Sequence, residues 1–146
     1  MSALQKRPSR EAIEQLEREM LEHEQVELAT THVLAGPVYA RTILIPAGTL
    51  LTGLVHRADH VNISVGDITV MTDTGMRRLT GHHVIPTKAG AKRAGYAHAD
   101  THWTTVSYTT QTELGAIEDE LVEDAERLQS RTEALPAPAQ FVKLEA

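Results

Sequence analysis

The stretch Thr49-Leu-Leu-Thr-Gly-Leu-Val-His56-Arg-Ala-Asp-His60-Val-Asn-Ile-Ser-Val-Gly66-Asp-Ile-Thr-Val70 decides the fold. It is rich in Val, Ile, Leu and Thr and is broken by Gly53 and Gly66, which reads as strand and turn. Two histidines four apart sit inside it, and the spacing recurs at His98-Ala-Asp-Thr-His102. In a strand the side-chain period is two, so each pair shares a face. The same spacing shares a face on a helix. The zinc-protease signature His-Glu-x-x-His, however, needs a glutamate where Arg57 and Ala99 stand, so its general base is missing. With the β-type flanks, two such pairs place four imidazoles where one small barrel can aim several at a single point. Neutral imidazole is a common ligand for zinc, iron, copper and nickel. Pocket histidines without a metal are the alternative.

Working outward, the period stays at two. Thr31–Ala35 and Val38–Ile45 read as strands about the turn Gly36-Pro37, and Pro46-Ala-Gly48 is another turn. Thr49–His56, His60–Val65, Asp67–Met71, Arg77–Leu79, His82–Ile85 and His102–Thr109 continue the series. Short strands so closely spaced, with no helical pattern between them, predict an all-β sandwich or barrel.

The ends are different. Residues 1–28 form an acidic helical arm: residues 1–8 read as frayed, Ser9 as an N-cap, and Ile13, Leu16 and Met20 as a narrow apolar stripe. That stripe suits packing on a subunit neighbour, loose contact with the barrel, or a solvated helix. The barrel occupies 29–111. Residues 112–132 read as an acidic C-terminal helix capped by Thr112, with Ile117, Leu121, Ala125 and Leu128 on one face and carboxylates near its start. Residues 133–146, containing Pro136-Ala-Pro138, read as a flexible tail.

The totals exclude several classes. A chain of 146 residues with 41% hydrophobic content suits one domain. The absence of cysteine rules out disulfides and thiolate metal sites. No apolar run is long enough to span a membrane and no signal peptide is visible, so a soluble cytoplasmic protein is the expectation. The net charge of −6 argues against nonspecific nucleic-acid binding. Its distribution is uneven. Residues 1–28 hold 4 basic and 7 acidic side chains and 113–146 hold 3 and 9, whereas 29–112 hold 7 and 4. Arg77, Arg78, Lys88, Lys92 and Arg93 form a basic segment that reads either as a rim recruiting an anionic ligand or as a solvated turn complementing the acidic helices. No Gly-x-Ser-x-Gly, phosphate-binding loop or cysteine nucleophile is present.

These residues resemble the cupin superfamily, whose fold is a double-stranded β-helix, or jelly-roll barrel, with two metal-ligand motifs. In the first, His56 stands for the second histidine, His60 for the glutamate and Gly66 for the closing turn. Asp59 is an alternative glutamate position, and Leu54 falls where the first histidine belongs. In the second, Gly95 and His98 match, with Arg93 for proline and His102 for asparagine. Ile45-Pro-Ala-Gly-Thr49, Gly66-Asp-Ile-Thr-Val70 and the run from Gly95 also resemble short cupin-like proteins of tailed bacteriophages. The resemblance implies a mainly β cupin-like barrel flanked by N- and C-terminal helices. It implies a divalent metal (zinc, iron, nickel or manganese) on His56, His60 and His98, with His102 a fourth ligand or a pocket base. Asn62 and Tyr96 would face inward and orient a small anionic ligand, and Trp103 would face outward. A metal-dependent enzyme, a non-enzymatic binder of a small ligand and a structural or assembly protein remain open. The thin aromatic content favours a homo-oligomer.

Overall fold

The computed structural model describes residues 9–72, 75–128 and 141–143. Helix α1 (Arg10–Met20) starts at Ser9, whose side chain accepts from the Ala12 amide. Strands β1 (Thr30–Ala35), β2 (Val38–Ile45) and β3 (Thr49–Thr52) follow, then β4 (His60–Thr72), β5 (Gly75–Thr87), β6 (Ala94–Ala97) and β7 (Thr101–Tyr108). Helix α2 (Leu114–Leu121), a 3-10 turn (Ala125–Arg127) and β8 (Phe141–Lys143) follow among the described residues. The stretch read as a frayed start (1–8) and the part of the expected tail that holds Pro136-Ala-Pro138 lie outside the described residues.

All pairings are antiparallel, and the path is β1-β2-β7-β4-β6-β3-β8 with β5 beside β4. The sheet curls because β4 changes partners along its length. Val61–Val65 pair with β7 and Ile68–Met71 pair with β6, while β5 runs alongside throughout. Gly66 sits at that change of partner, opposite Gly81. It is therefore a pivot within one 13-residue strand rather than the turn expected between two short ones. Its φ of 149° favours glycine, and a Cβ there would stand 2.5 Å from Thr101 Oγ1 and 2.7 Å from the Asp100 carbonyl oxygen.

The inner face follows strict alternation. Ile43 and Ile45, Ile68 and Val70, Leu79 and Leu51 meet in one buried cluster. A second cluster joins Tyr39 to Ile117, Leu121, Val122 and Ala125 beneath α2. Here the expected helix over 112–132 is corrected: α2 begins after Glu113, which makes no side-chain cap bond, has no acid in its first turn, and ends at Leu121. Part of the expected flexible tail is ordered, since Phe141–Lys143 pairs with Thr49–Leu51.

Helix α1 is fastened, not loose. Glu17 is 4% exposed and accepts from Thr52 Oγ1 (2.5 Å), Lys92 Nζ (2.9 Å) and Arg127 Nη2 (2.7 Å). Burial pushes its carboxyl pKa up, but the three donors outweigh burial and hold it below the usual range. Lys92 is equally buried and also donates to the Gly53 carbonyl. An acidic residue on an acidic helix thus becomes the anchor of the barrel end.

Candidate functional site: a cationic pocket in the barrel mouth

Strand β3 stops at Thr52, so His56 lies in the connection to β4 and not on a continuous strand Thr49–His56. It forms an isolated bridge with Val122, the Arg57 amide donates to Leu121, and the Glu123 amide donates to Val55. The Gly90 amide donates to the His56 carbonyl, and Asp59 accepts from the Ala89 amide at 2.8 Å. The segment is pinned by the end of α2 on one side and the turn after β5 on the other. His60 then opens β4, and the two rings lie tilted by 30° to each other with centroids 4.1 Å apart.

Both imidazoles are held neutral. Burial, then His60, pushes His56 down to about 3, and Arg41 and Arg93 act in the same direction. Burial also lowers His60. The His60 Nδ1 lies 3.1 Å from the Ala58 carbonyl, which can only accept, so Nδ1 carries the proton and Nε2 keeps its lone pair.

The two rings line a cavity of about 120 Å³. That is room for roughly ten waters, the space a small organic molecule displaces. Its floor is apolar, from Ile43, Ile45, Leu51, Ile68 and Val70, and its polar wall is Arg41, Arg93, Asn62, Thr52, Thr87 and Thr105. No Asp or Glu stands among the described lining residues. Asn62, 1% exposed, ties the wall together: its Nδ2 donates to Thr87 Oγ1 at 2.6 Å and its Oδ1 accepts from Thr105 Oγ1 at 3.0 Å. Arg93 Nη2 donates to the same Thr87 oxygen, and the guanidinium lies 5.7 Å from the Trp103 ring centroid. Arg41 makes no ion pair with a described carboxylate. Burial lowers its pKa, and the fields of Tyr39 and Glu118 act in the opposite direction.

The expected site residues divide. His56, His60 and Asn62 line the cavity; Tyr96, His98 and His102 do not. His98 is exposed, its Nε2 2.7 Å from Thr69 Oγ1, with the Tyr96 ring edge-on to it at 5.0 Å. His102 is exposed opposite Val65, and its neighbour Trp103, expected to face outward, lines the cavity instead. The reason is parity in β7: odd positions 101, 103, 105 and 107 face in, so 102 faces out. Of the basic segment, Arg78 pairs with Asp67, Lys88 with Asp59 and Lys92 with Glu17, and Arg93 is the member that lines the cavity. Arg41 was missed. The signal was there, an arginine at the inward parity of the otherwise apolar run Tyr39, Ile43, Ile45.

The divalent metal implied by the fold family needs three or more donors converging on one point. This cavity offers two imidazoles, and no group of three potential ligands from His, Cys, Asp or Glu occurs among the described residues. The guanidiniums that drive protons from His56 oppose a bound cation by the same field. The donor set present does not fit a resident metal.

No protein-family model matches the sequence, and no curated protein is similar to it. Solved structures do match. KdgF from a Halomonas species is 16% identical over 62% of this chain and 91% of that one, with a TM-score of 0.50. The plu4264 protein of Photorhabdus luminescens is 13% identical over 60% and 82%, with a TM-score of 0.51. A cupin superfamily protein from Desulfitobacterium hafniense is 12% identical over 62% and 85%, with a TM-score of 0.48. At such identities the likeness is one of fold. The curled antiparallel sheet and the likeness to the first two of these structures give the chain a mainly β, jelly-roll-type fold with short flanking helices. None of the helices among the described residues is long and apolar enough to cross a membrane.

Proposed function

We propose that the barrel mouth binds a small organic anion, its acidic group between Arg41 and Arg93 and its apolar body on the Ile43, Ile45 and Ile68 floor. The observation that carries this reading is two guanidiniums lining one cavity whose described wall has no carboxylate. Arginine suits a planar carboxylate or a phosphate because its donors form a rigid fork. The Asn62–Thr87 network sets the direction of Arg93, so part of the ordering is complete before the ligand arrives.

Binding is favoured over proton-transfer catalysis. A general base works best with a pKa near the working pH, and His56 at about 3 lies far below it. An incoming anion offsets the guanidinium field at these rings and so favours their protonation against the burial that keeps them neutral. Affinity then rises as pH falls, with proton uptake on binding.

The test is calorimetry with a panel of small mono- and dicarboxylates and phosphate esters at pH 7.5 and 5.5. At least one acid binds, more tightly at the lower pH. Arg41→Gln with Arg93→Gln weakens it on the order of 100-fold, as loss of two charge-assisted contacts of about 1.5 kcal/mol each requires. A panel in which nothing binds, or binding indifferent to both substitutions, overturns the reading.

A further inference from the structure

We infer that Glu17, on helix α1 outside the cavity, is a positioning residue of the anion site proposed above, on which this role rests: it sets Arg93 at the place where the anion meets it. No residue of α1 lines the cavity. Yet each of the three donors to Glu17 belongs to a segment that does. Thr52, buried, lines the cavity and donates to Oε2. Lys92 donates to the same oxygen and to the Gly53 carbonyl, and the Gly53 amide donates to the Arg93 carbonyl at 3.1 Å. Arg127, on Oε1, immediately precedes Leu128, which lines the cavity from the C-terminal side. One carboxylate thus gathers three lining segments, and the two that carry Thr52 and Arg93 are closed on each other by side chain and backbone alike.

The residue type at this position points the same way. Ile13, Glu17 and Met20 share the buried face of α1, so the carboxylate occupies the middle of an apolar stripe. A leucine there would hold the helix to the barrel without desolvating a charge, and replacing a buried ion pair by well-packed apolar groups is often neutral or stabilising. What a leucine cannot supply is direction. A carboxylate accepting three hydrogen bonds fixes its donors in angle as well as in distance. From Lys92 that direction passes through one peptide to Arg93, whose guanidinium is held by Thr87 Oγ1 and lies over the Trp103 ring. Root and tip of the same side chain are ordered before a ligand arrives, and the root depends on Glu17. Charge and position predict opposite effects here. By Coulomb's law alone, removing an acid near an anion site strengthens anion binding, whereas loss of position weakens it.

Trp103, the single tryptophan of the chain, reports the place of Arg93 without any ligand. The experiment compares wild type, Glu17→Gln and Glu14→Gln by acrylamide quenching of that fluorescence, and by calorimetry with the tightest acid of the carboxylate and phosphate-ester panel at pH 7.5. Glu17→Gln, with its far-UV circular dichroism unchanged, opens Trp103 to the quencher and weakens the acid about 10-fold, the loss of one of two guanidinium contacts. Glu14→Gln, on the same helix and paired with exposed Arg10, changes neither reading. Should Glu17→Gln unfold, Glu17→Gln with Lys92→Met removes the buried ammonium together with its partner and gives the same two readings. A folded variant that binds the acid as tightly as wild type or more tightly, or one in which quenching is unchanged, overturns the positioning role. If no acid binds the wild type, it is the anion site that fails, and quenching alone then decides whether Glu17 places Arg93.

Discussion

The two His-x-x-x-His pairs have the same spacing and opposite fates. His56 and His60 meet inside the mouth of the barrel, neutral and hemmed by guanidiniums, while His98 and His102 stand exposed on its outside. Spacing alone fixes whether two side chains share a face. Which face it is depends on where each strand enters the sheet, and the two pairs enter differently. The first pair arrives through a connection clamped by α2 and the 88–90 turn. The second brackets the β6–β7 turn, where Thr101 packs against Gly66 with its inward parity and so sends His102 out.

Breaking the support of the inner pair has the largest expected effect. Glu17→Ala leaves Lys92 buried without its carboxylate beside the cavity wall. Stability falls by about 3–5 kcal/mol in urea unfolding, because an uncompensated buried charge remains. A loss below about 1 kcal/mol would show that the barrel end does not depend on this anchor.

The inner pair also makes stability depend on pH, with a definite sign. His56 has a folded pKa of about 3, below its ordinary value of 6.5. Below pH 6.5 the unfolded chain therefore takes up a proton that the folded chain refuses. The contribution is complete above pH 6.5 and declines as pH falls toward 3, by on the order of 2 kcal/mol at pH 5. Comparing urea midpoints at pH 7 and 5 for the wild type and His56→Gln sharpens the contrast, since the variant lacks that share of the slope. Equal slopes would place His56 in water.

The outer pair gives the smallest effect. His98→Ala removes one exposed hydrogen bond to Thr69, and His102→Ala removes an exposed ring, so each changes stability at pH 7 by less than about 1 kcal/mol. Neither alters binding of an anion that requires Arg41 and Arg93. Loss of that binding in His98→Ala would return His98 to the site and dissolve the distinction between the pairs.

Much of the architecture was legible because it is local. Alternation in Val38–Ile45 and around Val61–Val70, the Ser9 cap and the Gly36-Pro37 turn each announce themselves within a few residues, and strands, helix start and hairpin follow. Boundaries were less legible where glycine has two uses. Gly66 reads as a turn, yet it serves a close approach by Thr101 within a continuous strand, and that neighbour is 35 residues away in sequence. In the site, the inward parity of Asn62 was readable; that His56 joins His60 in the cavity was not, because His56 lies in the connection before β4. Tyr96 and Trp103 were misassigned because the parity of β6 and β7 is set by pairing with β3 and β4, not by anything near them in the chain.

The amino-acid sequence by itself determined a single mainly β unit with helical ends, an acidic exterior and imidazoles in matched pairs, since period, composition and capping are short-range properties. Tertiary structure alone decided which imidazoles share a cavity, that Arg41 and Arg93 join them, and that Glu17 is an anchor and not solvated charge. The physical reason is that a side chain's field, burial and partners come from residues brought close by strand pairing, and pairing register is a property of the closed sheet.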